Sequence, residues 1–324
     1  MRTLSFVAGL LATSACGSSE SLTETPPLPN RQSPPARSAH AMVHDEARGV
    51  TLLFGGSGTT TFGDTWTWNG PAWTRVATTG PSPRNIPTLA YDARRQRVVL
   101  FGGQSGQTLF TDTWEWDGTT WTQRATTGPE PRIHQVGAYD RRRERVVVFG
   151  GAAANDATLF DTWEWDGTAW VRAAIAGPDR FTNGMVFDRA RNELLLHVLE
   201  RTRQANGTYR SELYAWSGTA WALSGGAASG PAFSPTQGVV SLGAAGGILL
   251  FDGGTLQGTA STWRWSSSAW AQVPGATPGL RSGHAMAFDL ARQRAVLFGG
   301  FANQVDFADT WEWNGTSWAE VNRP

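Results

Sequence analysis

The sequence predicts an all-β fold, a six-bladed β-propeller of four-stranded antiparallel blades, and three observations predict it. A motif typified by Asp112–Trp121, Asp-Thr-Trp-Glu-Trp-Asp-Gly-Thr-Thr-Trp, recurs at Asp64–Trp73, Asp161–Trp170 and Asp309–Trp318, with eroded copies at Glu212–Trp221 and Ser261–Trp270. These six copies hold all 17 tryptophans of the 324-residue chain, three in each except the fourth, where Tyr214 takes the first place. The ring residues Phe54, Phe101, Phe149, His197, Phe251 and Phe298 recur about every 48 residues. A period of about 40–50 residues with four short strands per unit is the signature of propeller blades.

The second unit shows the elements in order. Arg84–Tyr91, Arg97–Phe101 with Gly102-Gly103 after it, Asp112–Trp116 and Trp121–Arg124 are short, β-branched or aromatic, and bounded by turn formers, so each is expected to be a strand. Trp114 and Trp116 are two apart and share one face of the third strand, while Thr113 and Glu115 share the other. Asp117-Gly118 then turns the chain into the fourth strand at Trp121. Burying one indole contributes at most about 4–6 kcal/mol. Wedging between blades therefore accounts for every copy, against the alternative that the rings are exposed platforms for sugars. The blades are expected at residues 37–80, 81–128, 129–177, 178–228, 229–277 and 278–324.

The aliphatic run ending in Gly-Gly, at Gly55-Gly56, Gly102-Gly103, Gly150-Gly151, Gly253-Gly254 and Gly299-Gly300, precedes an aromatic third strand and a Trp on the fourth. That pattern resembles the kelch repeat over residues 37–322, and the fourth unit departs from it with Val198-Leu199. The resemblance implies a propeller with a central channel, akin to the central domain of galactose oxidase. It implies no particular activity, because the family spans enzymes, adaptors and lectin-like proteins. A copper site of the galactose-oxidase type needs a Cys-linked Tyr; the one cysteine, Cys16, lies in the leader, which excludes it.

Twenty-seven basic residues balance 27 acidic ones, so no nucleic-acid partner is implied, nor an anionic membrane surface. Met1-Arg2, the apolar run Leu4–Leu11 and the small residues before Cys16 resemble a bacterial lipoprotein signal, with an ordinary secretory signal as the alternative. The expectation is a signal peptide at 1–15, a lipidated Cys16 and an extended Ser/Thr/Pro-rich tether over 16–36. That makes the protein exported: a bacterial membrane-anchored lipoprotein at the outer membrane or periplasmic face, otherwise a secreted one. Only the anchor touches membrane, and a monomer is expected.

Each first strand opens on Arg and closes on Asp eight residues later: Arg37 and Asp45, Arg84 and Asp92, Arg132 and Asp140, Arg180 and Asp188, Arg281 and Asp289. A ring of free guanidinium groups would be an anion site. The fifth unit argues otherwise, since it has Ser234 at the Arg position and Ser261 at the third-strand acidic position, so both charges vanish together. Antiparallel pairing puts the starts of strands one and three at one face, and ion pairs such as Arg84 with Asp112 are expected, within a blade or between neighbours. The recurring Asp-x-x-Arg that follows strand one is expected to cap its own turn.

Subtracting the repeat leaves the fourth unit, where the insertion Glu200–Arg210 adds Arg201, Arg203, Asn206 and Tyr209 at the face of the Arg starts. Either drift or a binding loop explains it. Arg180, Arg201, Arg203 and Tyr209 are the first binding candidates, with Arg37, Arg84, Arg132 and Arg281 as the ring alternative. Of the histidines, His40 and His284 share one repeat position and are expected in the core or channel wall, while His44, His134 and His197 form no metal-ligand spacing. No catalytic constellation, metal or cofactor is indicated. The functional expectation is a non-enzymatic cell-envelope interaction protein that binds protein or glycan through the face of the strand-one starts and the second-to-third-strand loops. The alternative is a sugar-active kelch enzyme, sialate mutarotase-like or glycosidase-like; against the latter, Asp-Gly-Thr-x-Trp misses the sialidase Asp-box spacing by one residue. The repeat runs in phase from Arg37 to Val321, so blades one and six must close the ring by packing, unless residues 17–36 add a strand.

Overall fold

Each unit folds into one antiparallel sheet whose four strands pair in sequence order, which makes six blades. The computed structural model describes residues 32–203, 209–227, 238–243, 246–254, 259–266 and 269–322. Cys16, Asn206 and Ser234 lie outside these residues. Blade two consists of Thr88–Asp92, Arg97–Phe101, Thr113–Trp116 and Trp121–Ala125. First strands of neighbouring blades contact one another around the ring and so form the wall of the central channel.

The first strands begin later than the sequence suggests. In blade two the strand starts at Thr88 rather than Arg84, because Ile86 takes a φ of 53° that ends extended pairing. Ala39, His134 and Gly283 adopt the same left-handed turn in blades one, three and six. The Arg therefore sits before a kink that swings the next residues to the channel mouth.

Three tryptophans per blade have three different tasks. Trp66, Trp114, Trp163 and Trp311 each donate the indole N–H to the Asp two residues earlier in the same strand. The second tryptophan is fully enclosed between blades: Trp165 donates to Glu115 of blade two at 3.1 Å and Trp216 to Glu164 of blade three at 2.8 Å. The third donates to a threonine of the preceding blade, as Trp121 does to Thr65 and Trp170 to Thr113, both at 2.8 Å. It also packs on that blade's marker ring, Trp121 on Phe54 with centroids 5.5 Å apart. His197 replaces the phenylalanine in blade four and meets Trp270 at 5.1 Å.

The ring closes without a strand shared between termini among the described residues. Trp68 of blade one donates to Glu312 and Trp73 to Thr310 of blade six, each at 2.8 Å, so the closing seam is the same joint as the others. Blade four departs: Leu213 and Ala215 occupy the places of Thr and Glu, and the buried indole nitrogens of Trp270 and Trp265 in blade five have no acceptor.

Candidate functional site

The strand-one arginines are fixed first by geometry. Arg84 is fully buried; its Nη1 and Nη2 meet Asp112 at 2.5 and 2.9 Å, Nη1 also donates to Gly102 O, and Nε donates to Ser82 O. Its guanidinium lies 3.8 Å from the Phe110 ring centroid. Arg37 with Asp64, Arg132 with Asp161 and Arg281 with Asp309 repeat the pairing, each within its own blade. Gly102 supplies its carbonyl to this knot at a φ of 70°, which explains the recurring Gly-Gly. Burial alone would raise the Asp112 pKa, but the hydrogen bonds from Arg84 and Trp114 hold it below the ordinary carboxylate value.

As ligand-binding groups, Arg37, Arg84, Arg132 and Arg281 are therefore corrected. Their donors face carboxylates and carbonyls inside the blade, because an unpaired guanidinium could not be buried there. Arg180 differs. Val198-Leu199 replaces Gly-Gly, strand two runs on as Glu193–Arg203, and Arg180 keeps Glu212 at 3.2 Å with a third of its side chain exposed. Arg201, Arg203 and Tyr209 lie at the far end of this hairpin, with Arg203 opposite Tyr209 in register. The Asp-x-x-Arg turns behave as expected: the Asp92 carboxylate accepts the Arg95 N–H at 3.0 Å, and Arg95 also reaches Glu115.

The kink after the arginines builds the site. A cavity of about 420 Å³ opens at the channel mouth on this face. The third residues after the five arginines are His40, Pro87, Gln135, Asn183 and His284, and all five line it. The polar side chains among them are buried without a well-formed hydrogen bond at Oε1 of Gln135 and both amide atoms of Asn183, while the His40 ring turns to the Phe298 backbone and the His284 ring to the backbone of Phe251 and Arg281. His40, Gln135 and His284 are each only 6% exposed. Nε2 of His284 accepts the Gly238 N–H at 3.0 Å, which assigns the proton to Nδ1. Desolvation holds His40 well below the usual imidazole pKa and, with the charge of Arg281, lowers His284 to about 3, so both rings are neutral. Edge contacts with Phe298 at 5.5 Å and Phe251 at 5.1 Å fix their planes. Ile86, Pro87, Leu159, Phe160 and Phe181 supply apolar wall.

Farther along the same innermost strands Met42, Met185 and Met286 line the channel. At its opposite end Arg141 of blade three and Arg189 of blade four both donate to the Glu46 carboxylate of blade one. Blades one and four are opposed in a six-blade ring, so this bridge crosses the channel. Burial raises the Glu46 pKa, and the two arginines more than offset it.

Sequence reasoning found Arg180, His40 and His284 but not Gln135, Asn183 or the channel-lining His134. The signal was the column beside the arginine: an invariant Arg with a changing third neighbour separates scaffold from site.

Six four-stranded blades around a channel with a polar cup at the loop face define a β-propeller with a single-ended central cavity. The profile described as KLHDC2/KLHL20/DRC7 Kelch-repeats domain matches residues 14–178, just over half of the chain, and the protein belongs to the kelch-repeat family. A solved structure, "Structure of YjhT", is similar with a TM-score of 0.65 at 13% identity, covering 90% of this chain and 99% of that one, a likeness of fold alone. No curated protein matches the chain.

Proposed function

We propose that this kelch propeller is a non-enzymatic binding protein of the bacterial cell envelope that takes its ligand, protein or glycan, at the loop-face channel mouth. The carrying observation is the convergence on one cavity of the unpartnered, buried polar atoms of Gln135 and Asn183 with the neutral rings of His40 and His284. Burying such groups unpaired costs about 1–3 kcal/mol each, and a bound partner recovers it. The lining favours binding over group transfer, because the imidazoles are held neutral and Arg180 already faces Glu212. Among the described lining residues, no carboxylate or phenol accompanies them as acid or base. Kelch propellers suit this role as rigid interaction scaffolds that present loops on one face.

The test uses residues 32–324, which contain all four strands of every blade. A ligand retained by the wild-type propeller is lost in Thr182→Trp, which fills the mouth, and kept in Arg145→Ala on the opposite face. Unaltered binding to Thr182→Trp, or chemical conversion of the ligand, would overturn the reading.

The envelope location rests on the leader and Cys16. Lipidation is expected to attach the chain to membranes and incorporate a palmitate analogue, and Cys16→Ser to abolish both. A wild-type chain that stays unlabelled in its native host would refute the anchor.

A further inference from the structure

From the chemistry of the cup we infer that its ligand is an uncharged, polyhydroxylated ring, a neutral sugar residue or cyclic polyol, bound by its free end. This rests on the mouth being the binding site and names what enters it.

Four features point there together. First, the cup offers hydrogen-bonding groups without net charge. Asn183 presents an amide donor and acceptor side by side and Gln135 an acceptor, between the imidazoles of His40 and His284, which turn to the backbone of Phe298 and Phe251. A hydroxyl both donates and accepts, so a row of hydroxyls can satisfy this set, and adjacent hydroxyls match the Asn183 amide edge. A carboxylate or phosphate could only accept and would leave Gln135 Oε1 and the Asn183 carbonyl oxygen unpaired.

Second, Arg180 at the rim is already committed to Glu212 at 3.2 Å, and the four other described strand-one arginines are buried in ion pairs. An anionic ligand would have to compete with a protein carboxylate for its counter-charge. Third, Pro87, Leu159, Phe160 and Phe181 give the same cavity an apolar flank, the complement of the C–H face that a pyranose or cyclitol presents opposite its hydroxyls. A cavity of about 420 Å³ lies toward the small end of small-molecule sites, which run to about 300–1,000 Å³.

Fourth, a side-chain bridge crosses the far end of the channel. Below the cup three methionines line it, and Glu46 is held there by Arg141 and Arg189. A ligand enters and leaves by the loop face. A polymer therefore presents a terminal residue and cannot thread.

The experiment measures binding of residues 32–324 to immobilised neutral glycans, acidic glycans bearing sialic or uronic acid, free cyclic polyols and extended peptides, with calorimetry on the positives. The expected result is retention of neutral glycans through a terminal residue, competed by the free ring. The dissociation constant should be unmoved between about 0.02 and 0.5 M salt. Asn183→Ala and Gln135→Ala should each weaken binding about tenfold or more, since each removes hydrogen bonds to a buried partner. Their melting temperatures, read alongside, separate lost contacts from lost folding, and Asn183→Asp, nearly isosteric, should also lose the neutral ligand. Binding confined to acidic glycans, or weakened by salt, overturns the neutral class. Peptide binding that the same two variants abolish overturns the sugar and leaves the mouth as the site. Carbohydrate binding indifferent to both variants overturns the mouth itself, and retention of nothing overturns the inference.

Discussion

Asp112→Ala should cost about 3–5 kcal/mol of folding stability, the penalty for leaving a buried charge without its partner. Arg84 is fully enclosed and would keep only the carbonyls of Ser82 and Gly102 and the ring of Phe110. Adding Arg84→Met to that variant should recover part of the loss, because a buried pair replaced by apolar groups is often near neutral. Denaturant unfolding of the two variants checks both. A loss under about 1 kcal/mol for Asp112→Ala would mean that the pair behaves like a solvent-exposed one.

The same knots predict acid sensitivity with a definite sign. Asp64, Asp112, Asp161 and Asp309 all have folded pKa values below the reference of 3.8. A carboxylate so depressed adds stability that is full above the unfolded value and is lost as pH falls through the folded one. Stability should thus decline below about pH 4, and Asp112→Ala should flatten that decline.

Trp165→Phe should destabilise the propeller about 1.5–3 kcal/mol more than Trp265→Phe, although the two residues occupy the same place in their interfaces. Both indoles are enclosed, Trp165 at 0% and Trp265 at 1% exposure, so the loss of packing volume is shared. They differ at the indole nitrogen. Trp165 donates to Glu115, a buried carboxylate that also holds Arg95 and Arg124, and a hydrogen bond to a charged group contributes about 1.5–3 kcal/mol. Trp265 Nε1 has no acceptor, because Ala215 stands where the other blade would supply Glu. Equal losses in equilibrium unfolding would show that the hydrogen bond adds nothing to the seam.

Legibility in the sequence followed repetition. Arg, Gly-Gly, Asp and Trp recur in most units, so comparing units within one chain identified the pairing of Arg with Asp before any coordinates did. Blade four was legible as the outlier for the same reason, through Val198-Leu199 and the insertion Glu200–Arg210. Gln135 and Asn183 were not, because they occur once each and gain meaning only when the ring sets them beside His40 and His284, which lie in other blades.

The sequence by itself determined that six like units would form six four-stranded blades, which face of the third strand carries tryptophan, and that the arginines would find carboxylates. These follow from spacing along a strand and from the cost of burying charge, both local. Only the tertiary structure decided that the arginines pair inside their own blades, and that a left-handed residue after Arg37, Arg84, Arg132 and Arg281 turns its neighbour into the channel. The polar cup, likewise, exists only once the ring is closed. Its atoms come from separate blades, and whether a buried nitrogen or oxygen has a partner depends on what every other blade places within about 3 Å of it.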